Sequence, residues 1–249
     1  MRTCRASVLA ALAVSLLPLS AHASSPAGSI QPLALSCGAT EFVAMSSNSS
    51  TLAKRQCNGS YVFGIGGSVD DAVENLNGFM AVKEAGVGCH TNATSVVSGA
   101  YGLGVFAKFT CNGWPIAGAG NSATTAARNS LAIATEMAAT GTHCRAPERE
   151  SYSPETYGFR FRYSCGNTRT LKVWSVSGLG SNIDDANAIA MRMMRHSSAS
   201  GQSCAFDKAD INGVILRATL RCGGSFVQGY GSSVTAAAND ALAQVGAQP

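Results

Sequence analysis

Residues 204–245 read CAFDKADINGVILRATLRCGGSFVQGYGSSVTAAANDALAQV, and this stretch decides the fold. A cysteine opens it. Val214 to Arg221 alternates apolar and polar residues, as a half-buried strand does. Cys222 and a Gly223-Gly224 turn follow, then a return strand over Ser225 to Gly229. A Gly-Tyr-Gly link at 229–231 leads to Ser233, which is placed to cap a helix. Val234, Ala237, Ala241 and Val245 fall on one face of that helix.

Three earlier stretches repeat the plan. Cys57-Asn58-Gly59 leads to Gly64-Ile65-Gly66-Gly67-Ser68, Cys111-Asn112-Gly113 to Gly118-Ala119-Gly120-Asn121-Ser122, and Cys165-Gly166-Asn167 to Gly178-Leu179-Gly180-Ser181-Asn182. Cysteine and cap lie 11 residues apart in the first, second and fourth stretches and 17 apart in the third. The helix faces recur at the same offsets: Val69, Ala72, Leu76, Met80; Ala123, Ala126, Ser130, Ala134; Ile183, Ala186, Ala190, Met194. Asp71 and Asp185 stand three residues past their caps, as in a capping box. The expected fold is α+β: four degenerate β-hairpin–helix repeats, their antiparallel sheet or sheets covered on one face by helices and stapled by disulfides. A hairpin and one helix cannot bury their apolar faces alone, so the copies must stack.

The repeats begin after an export-like start. Arg2 and Arg5 precede an apolar run over Ala6 to Leu19, and Ala21-His22-Ala23 suits cleavage. The expected organisation is a signal peptide at 1–23, a flexible lead-in at 24–36, a first half at 37–143 and a second at 144–249. The charged link from Arg145 to Pro154 marks the boundary between the halves. No later stretch is long and apolar enough to cross a membrane. Without Arg2 and Arg5 the chain carries 16 basic against 14 acidic residues, too little excess for electrostatic capture of nucleic acid. The expected location is secreted or periplasmic.

Eight cysteines remain beyond the signal, an even number that reads as disulfides in an exported chain. The preferred set is Cys37–Cys57, Cys89–Cys111, Cys144–Cys165 and Cys204–Cys222, whose near-constant separations suit a repeated local loop. The rival set spans the helices, joining 57 to 89, 111 to 144 and 165 to 204 and closing Cys37 on Cys222. His90 and His143 adjoin cysteines, but no Cys-x-x-Cys spacing supports zinc, so no metal or cofactor is expected.

The order strand, turn, strand, Gly-x-Gly, Ala-rich helix resembles the C-terminal half of a double-stranded-RNA-binding domain, over Val214 to Leu242 and again over Val105 to Ala134. The resemblance implies hairpin-and-helix geometry. That family grips phosphate with lysines at the start of the helix. Here those places hold Asp70-Asp71, Thr124-Thr125, Asp184-Asp185 and Thr235-Ala236, so no RNA function carries over.

Chemistry-bearing motifs are sparse. The Gly-x-Gly junctions lack the setting of a nucleotide fingerprint, and no Gly-Lys-Ser/Thr run makes a P-loop. His90, His143 and His196 sit beside cysteines or near helix ends, and no Gly-x-Ser-x-Gly elbow is present. The aromatics Tyr61, Tyr101, Trp114, Phe161, Tyr163, Trp174 and Tyr230 fall in or near hairpins. Phe159, Phe161 and Tyr163 alternate as core, which leaves Trp114, Trp174 and Tyr230 as candidate binding anchors. The leading expectation is a non-catalytic exported protein that binds another protein or a surface glycan, as an inhibitor, adhesin-like or envelope factor. The alternative is a secreted hydrolase using His143 or His196 with a nearby nucleophile.

Overall fold

The computed structural model describes residues 35–45, 49–92, 94–98, 104–146 and 152–247. The export-like segment, most of the lead-in, Tyr101 and the middle of the 145–154 link lie outside these residues. The first cysteine-led group is β1 (Cys37–Ala44), β2 (Thr51–Cys57), β3 (Ser60–Gly66) and α1 (Val69–Glu84). The second is β4 (Cys89–His90), β5 (Val96–Ser98), β6 (Val105–Cys111), β7 (Trp114–Gly120) and α2 (Ala123–Thr140). The third is β8 (Thr142–Arg145), β9 (Tyr152–Glu155), β10 (Gly158–Asn167), β11 (Val173–Gly180) and α3 (Ile183–Ser200). The last is β12 (Cys204–Asn212), β13 (Ile215–Cys222), β14 (Ser225–Gly231) and α4 (Val234–Gln244).

The protein is therefore α+β, with four helices, antiparallel sheets and four disulfides among the described residues. β1 to β3 form a three-stranded sheet, and the other strands an 11-stranded sheet ordered β14-β13-β12-β11-β10-β8-β7-β6-β4, with β5 on β6 and β9 on β10. Two junctions in the long sheet are parallel: β7 meets β8 at Ala117–Arg145, and β11 meets β12 at Ser177–Ala205. The expected boundary at 143/144 falls inside β8, so one sheet runs across it.

Each disulfide joins two cysteines that face each other directly across an antiparallel ladder: Cys37 and Cys57, Cys89 and Cys111, Cys144 and Cys165, Cys204 and Cys222. The helix-spanning set does not occur. Each bridge ties a cysteine-led strand to the first strand of the hairpin that follows. The last of these leading strands is the longest and the least apparent in the sequence pattern. Cys204–Asn212 carries Asp207, Lys208 and Asp210, which obscure its alternation, yet it pairs along β13 with one irregularity between Phe206 and Lys208. Val214 lies in the turn, fully exposed, and not in the strand. Residues 169–172 likewise form a turn and loop before β11.

Each helix starts as its cap residue dictates. The side chains of Ser68, Ser122, Asn182 and Ser233 accept from the amides of Asp71, Thr125, Asp185 and Ala236. α2 and α3 end on left-handed Gly141 and Gly201. Arg192 reaches across to Asn239 and to the Ala247 carbonyl, and so ties α3 to the last helix and the residues after it.

Strand and helix approach at backbone distance. A Cβ added to Gly64, Gly118, Gly178 or Gly229 would collide with the carbonyl oxygen of Ala72, Ala126, Ala186 or Ala237, respectively. Those four alanines have no exposed surface. The small residues at fixed offsets therefore bring each helix onto its own hairpin. Around this contact the core is apolar, with Phe79 stacked on Phe109 at 4.3 Å and Phe161 edge-on to Tyr163 at 4.8 Å. The Tyr163 hydroxyl donates to Asn187, whose amide donates to the Ala119 carbonyl, so a buried polar bridge joins β10, α3 and β7.

Candidate functional site

The hairpin turn Asn112-Gly113 has positive φ at both residues, as a two-residue turn requires. It delivers Trp114 at the start of β7. β8 runs alongside β7 and presents His143 and Arg145 on either side of the bridged Cys144. Because side chains alternate along a strand, both point away from the disulfide. β10 places Gly166 opposite His143. A Cβ there would lie 2.8 Å from the His143 Nε2, so a larger residue would displace the imidazole from its present place. On the next strand, Trp174 stands opposite Cys165.

These neighbours form a shallow groove of about 550 Å³ lined by Trp114, Pro115, His143, Arg145, Val173 and Trp174, with Ser164 and Ser175 beside them. Trp114 is 40% exposed, and its ring lies 4.4 Å from that of His143. Burial holds the His143 pKa below the ordinary imidazole value, with the Gly141 backbone pulling the other way. His143 Nδ1 and Trp174 Nε1 are buried without a side-chain hydrogen-bond partner. Trp174 also walls a second groove of about 350 Å³ with Asn167, Thr170 and Gln202. A third, of about 380 Å³, lies beside Tyr61, Phe63 and His90.

The structure thus brings Trp114, Trp174 and His143 together and leaves Tyr230 elsewhere. Tyr230 is on the edge strand β14, with its hydroxyl bonded to Gln228 and its amide to Asp240. His196 sits in α3 and His90 in β4. Among the described residues no hydroxyl or carboxylate hydrogen-bonds to a histidine, and no three His, Cys, Asp or Glu side chains converge as a metal site would need. Cys89 and Cys144, next to His90 and His143, are held in disulfides.

A further set of contacts was not apparent in the sequence. The amide just before each of the first three caps donates to the second residue of the next helix along the chain: Gly67 to Thr124 Oγ1 at 2.8 Å, Asn121 to Asp184 Oδ1 at 3.2 Å, and Ser181 to Thr235 Oγ1 at 2.8 Å. Thr124 and Thr235 pass a bond on to Asp71 and Asp185. The residue types at that second helical position, Thr or Asp, were the available signal. No protein-family model matches the chain, and none of the curated proteins is significantly similar to it. No helix among the described residues is long and apolar enough to cross a membrane, and four disulfides suit an oxidising compartment such as the periplasm or the extracellular space.

Proposed function

We propose that this chain is an exported, non-catalytic protein, built of four degenerate hairpin–helix copies, that binds another macromolecule through the groove between Trp114 and Trp174. The observation that carries the binding role is one open groove lined by both tryptophans with His143 and Arg145, the Trp114 ring lying against that of His143. Large, rigid aromatic surfaces of this kind dominate binding interfaces. Export rests on the pattern of residues 1–23 and agrees with the four disulfides.

The repeat reading draws support from equivalent contacts at equivalent offsets: the four glycine–alanine approaches, the four cap bonds and the three amide links between successive helix starts. It also explains Tyr230. Ile65, Ala119 and Leu179 hold the same place between paired glycines and are completely buried, whereas Tyr230 is 38% exposed. Helices α2, α3 and α4 pack against β3, β7 and β11 of the copy before them as well as on their own hairpins, whereas among the described residues β14 is packed chiefly by its own α4. Tyr230 is thus less covered than its three counterparts and separate from the groove.

Both tryptophans of the chain line this groove, so indole emission reports on it directly. The purified protein, offered to envelope and host extracts, should retain a saturable partner and change its emission on binding. Trp114→Ala and Trp174→Ala should each weaken capture roughly 10-fold or more, as loss of an aromatic anchor does. Capture unchanged in both variants, or a turnover that depends on His143, would overturn the reading.

A further inference from the structure

The groove belongs to a larger face with a charge of its own. Tyr163 and Cys165 point towards α3 and the disulfide layer, since the Tyr163 hydroxyl bonds Asn187. Alternation therefore turns Arg162 and Ser164 to the opposite face. Register carries that face across the long sheet. Arg145 lies opposite Ala117 on one side and Ser164 on the other, and Ser164 lies opposite Ser175. Arg162 lies opposite Ser177, which meets Ala205, which lies opposite Arg221. Arg145, Arg162 and Arg221 are all exposed. Strands stand about 4.8 Å apart, so Arg162 and Arg221, three strands apart, are separated by roughly 14 Å. Arg145 and Arg162 are diagonal neighbours about 7–8 Å apart at the backbone.

Charge is segregated between the two layers. β6 to β13 carry seven Lys and Arg against three carboxylates, whereas the four helices carry eight carboxylates against four cations. Within the sheet, Arg160 pairs with Glu155, and Arg217 and Lys208 share Asp210. Arg145, Arg162 and Arg221 have no ion pair among the described residues. They form a row of guanidinium forks beside the Trp114 indole, with exposed Ser164 and Ser175 hydroxyls between.

We infer that this face binds an acidic polysaccharide, a conclusion that rests on the proposed binding role of the Trp114–Trp174 groove. A guanidinium holds a carboxylate with two parallel donors. A sugar ring presents an apolar C–H face that suits an indole, and its hydroxyls suit serine. A uronate polymer spaces its acids with rigid rings, which matches cations that alternate with aromatic and hydroxyl surface. Nucleic acid fits less well. Three unpaired arginines neutralise few phosphates, and the disulfides indicate an oxidising compartment. The acidic helix layer faces away and repels the polymer, so it binds on one side only.

The test titrates the mature protein with polygalacturonate and follows indole emission at low and at physiological salt. Dextran, polyglutamate and a single-stranded oligonucleotide run in parallel. Polygalacturonate should bind best and weaken with salt. Arg145→Ala, Arg162→Ala and Arg221→Ala should each reduce its affinity by about 10-fold, while leaving the unfolding midpoint unchanged. Equal binding of dextran or polyglutamate overturns the inference, as does tighter binding of the oligonucleotide or indifference to the three arginine variants. If polygalacturonate fails to bind while Trp114→Ala still abolishes capture from extracts, the ligand class is wrong and the groove's role stands. If polygalacturonate binds by the arginines alone, with Trp114→Ala and Trp174→Ala neutral, the groove reading is what falls.

Discussion

Replacing Gly118 with alanine should cost roughly 2–4 kcal/mol of folding free energy. The added Cβ would lie 2.7 Å from the Asn129 carbonyl carbon and closer still to Ala126 O and Ser130 N. Carbon atoms in good contact stand about 3.5–4.0 Å apart, so α2 would have to withdraw by roughly 1 Å. Every obstructing atom is helix backbone, and no side chain can rotate aside. Withdrawal also pulls apart two buried bonds, Gly118 amide to Ser130 Oγ and Ser130 Oγ to the Ala107 carbonyl, both 2.7 Å. Overpacking contributes about 1–3 kcal/mol of destabilisation, and a spoiled buried hydrogen bond about 1–3 kcal/mol. Reduced freedom of the unfolded chain offsets about 0.4–1 kcal/mol. Urea unfolding under non-reducing conditions should show a lower midpoint at unchanged slope, and the melting temperature should fall by roughly 5–15 °C. Gly88→Ala is the control, because its Cβ meets only Asn112 Oδ1, at 3.7 Å. It should be neutral or slightly stabilising. A Gly118→Ala protein within about 0.5 kcal/mol of wild type, the range of an ordinary surface change, would refute the backbone-contact account of these glycines.

Removing the Cys204–Cys222 bridge by a double alanine substitution should cost roughly 3 kcal/mol, as expected for a loop of this length; urea midpoints with and without reductant check it. Thr124→Val removes the side chain that accepts from Gly67 and donates to Asp71, and should cost about 1 kcal/mol. A null effect there and in Thr235→Val would argue against equivalent junctions. Arg217 and Lys208 hold the Asp210 carboxyl well below the usual carboxylate range. A depressed carboxylate pKa stabilises above the unfolded value and loses that effect as pH falls below it. The stability gap between wild type and Asp210→Asn should therefore shrink from pH 6 to roughly pH 3. His143 is also depressed, so its neutral form is favoured in the fold. Wild type should lose stability relative to His143→Phe as pH drops through about 6.5.

The helices and hairpins were legible because their signals are local. Ser68, Ser122, Asn182 and Ser233 each combine a capping side chain with a following apolar face, and Asn112-Gly113 names its own turn. The leading strands were not. Cys89–His90 is too short to show a period, and Cys204–Asn212 is interrupted by charge. Their strand character comes from the partner across the disulfide, which no local pattern encodes. Trp114 and Trp174 are 60 residues apart in sequence. They line one groove only because β8 lies between β7 and β10 and so sets the third hairpin beside the second.

Net charge conceals more than it reveals here. A net charge of +4 over the whole chain, or +2 without Arg2 and Arg5, reads as indifference to polyanions. That inference treats the charges as evenly spread. Strand alternation and the helix caps do not spread them evenly. Carboxylates favour helix starts, where Asp70, Asp71, Asp184 and Asp185 meet free amides. Cations are left on the strands, where Arg145, Arg162 and Arg221 alternate with buried residues and must face outward together. The same rules that build a hairpin–helix layer thus sort the charge by layer, and a nearly neutral chain acquires one basic face. Its partner should be sought by the chemistry of that face, not by the sum.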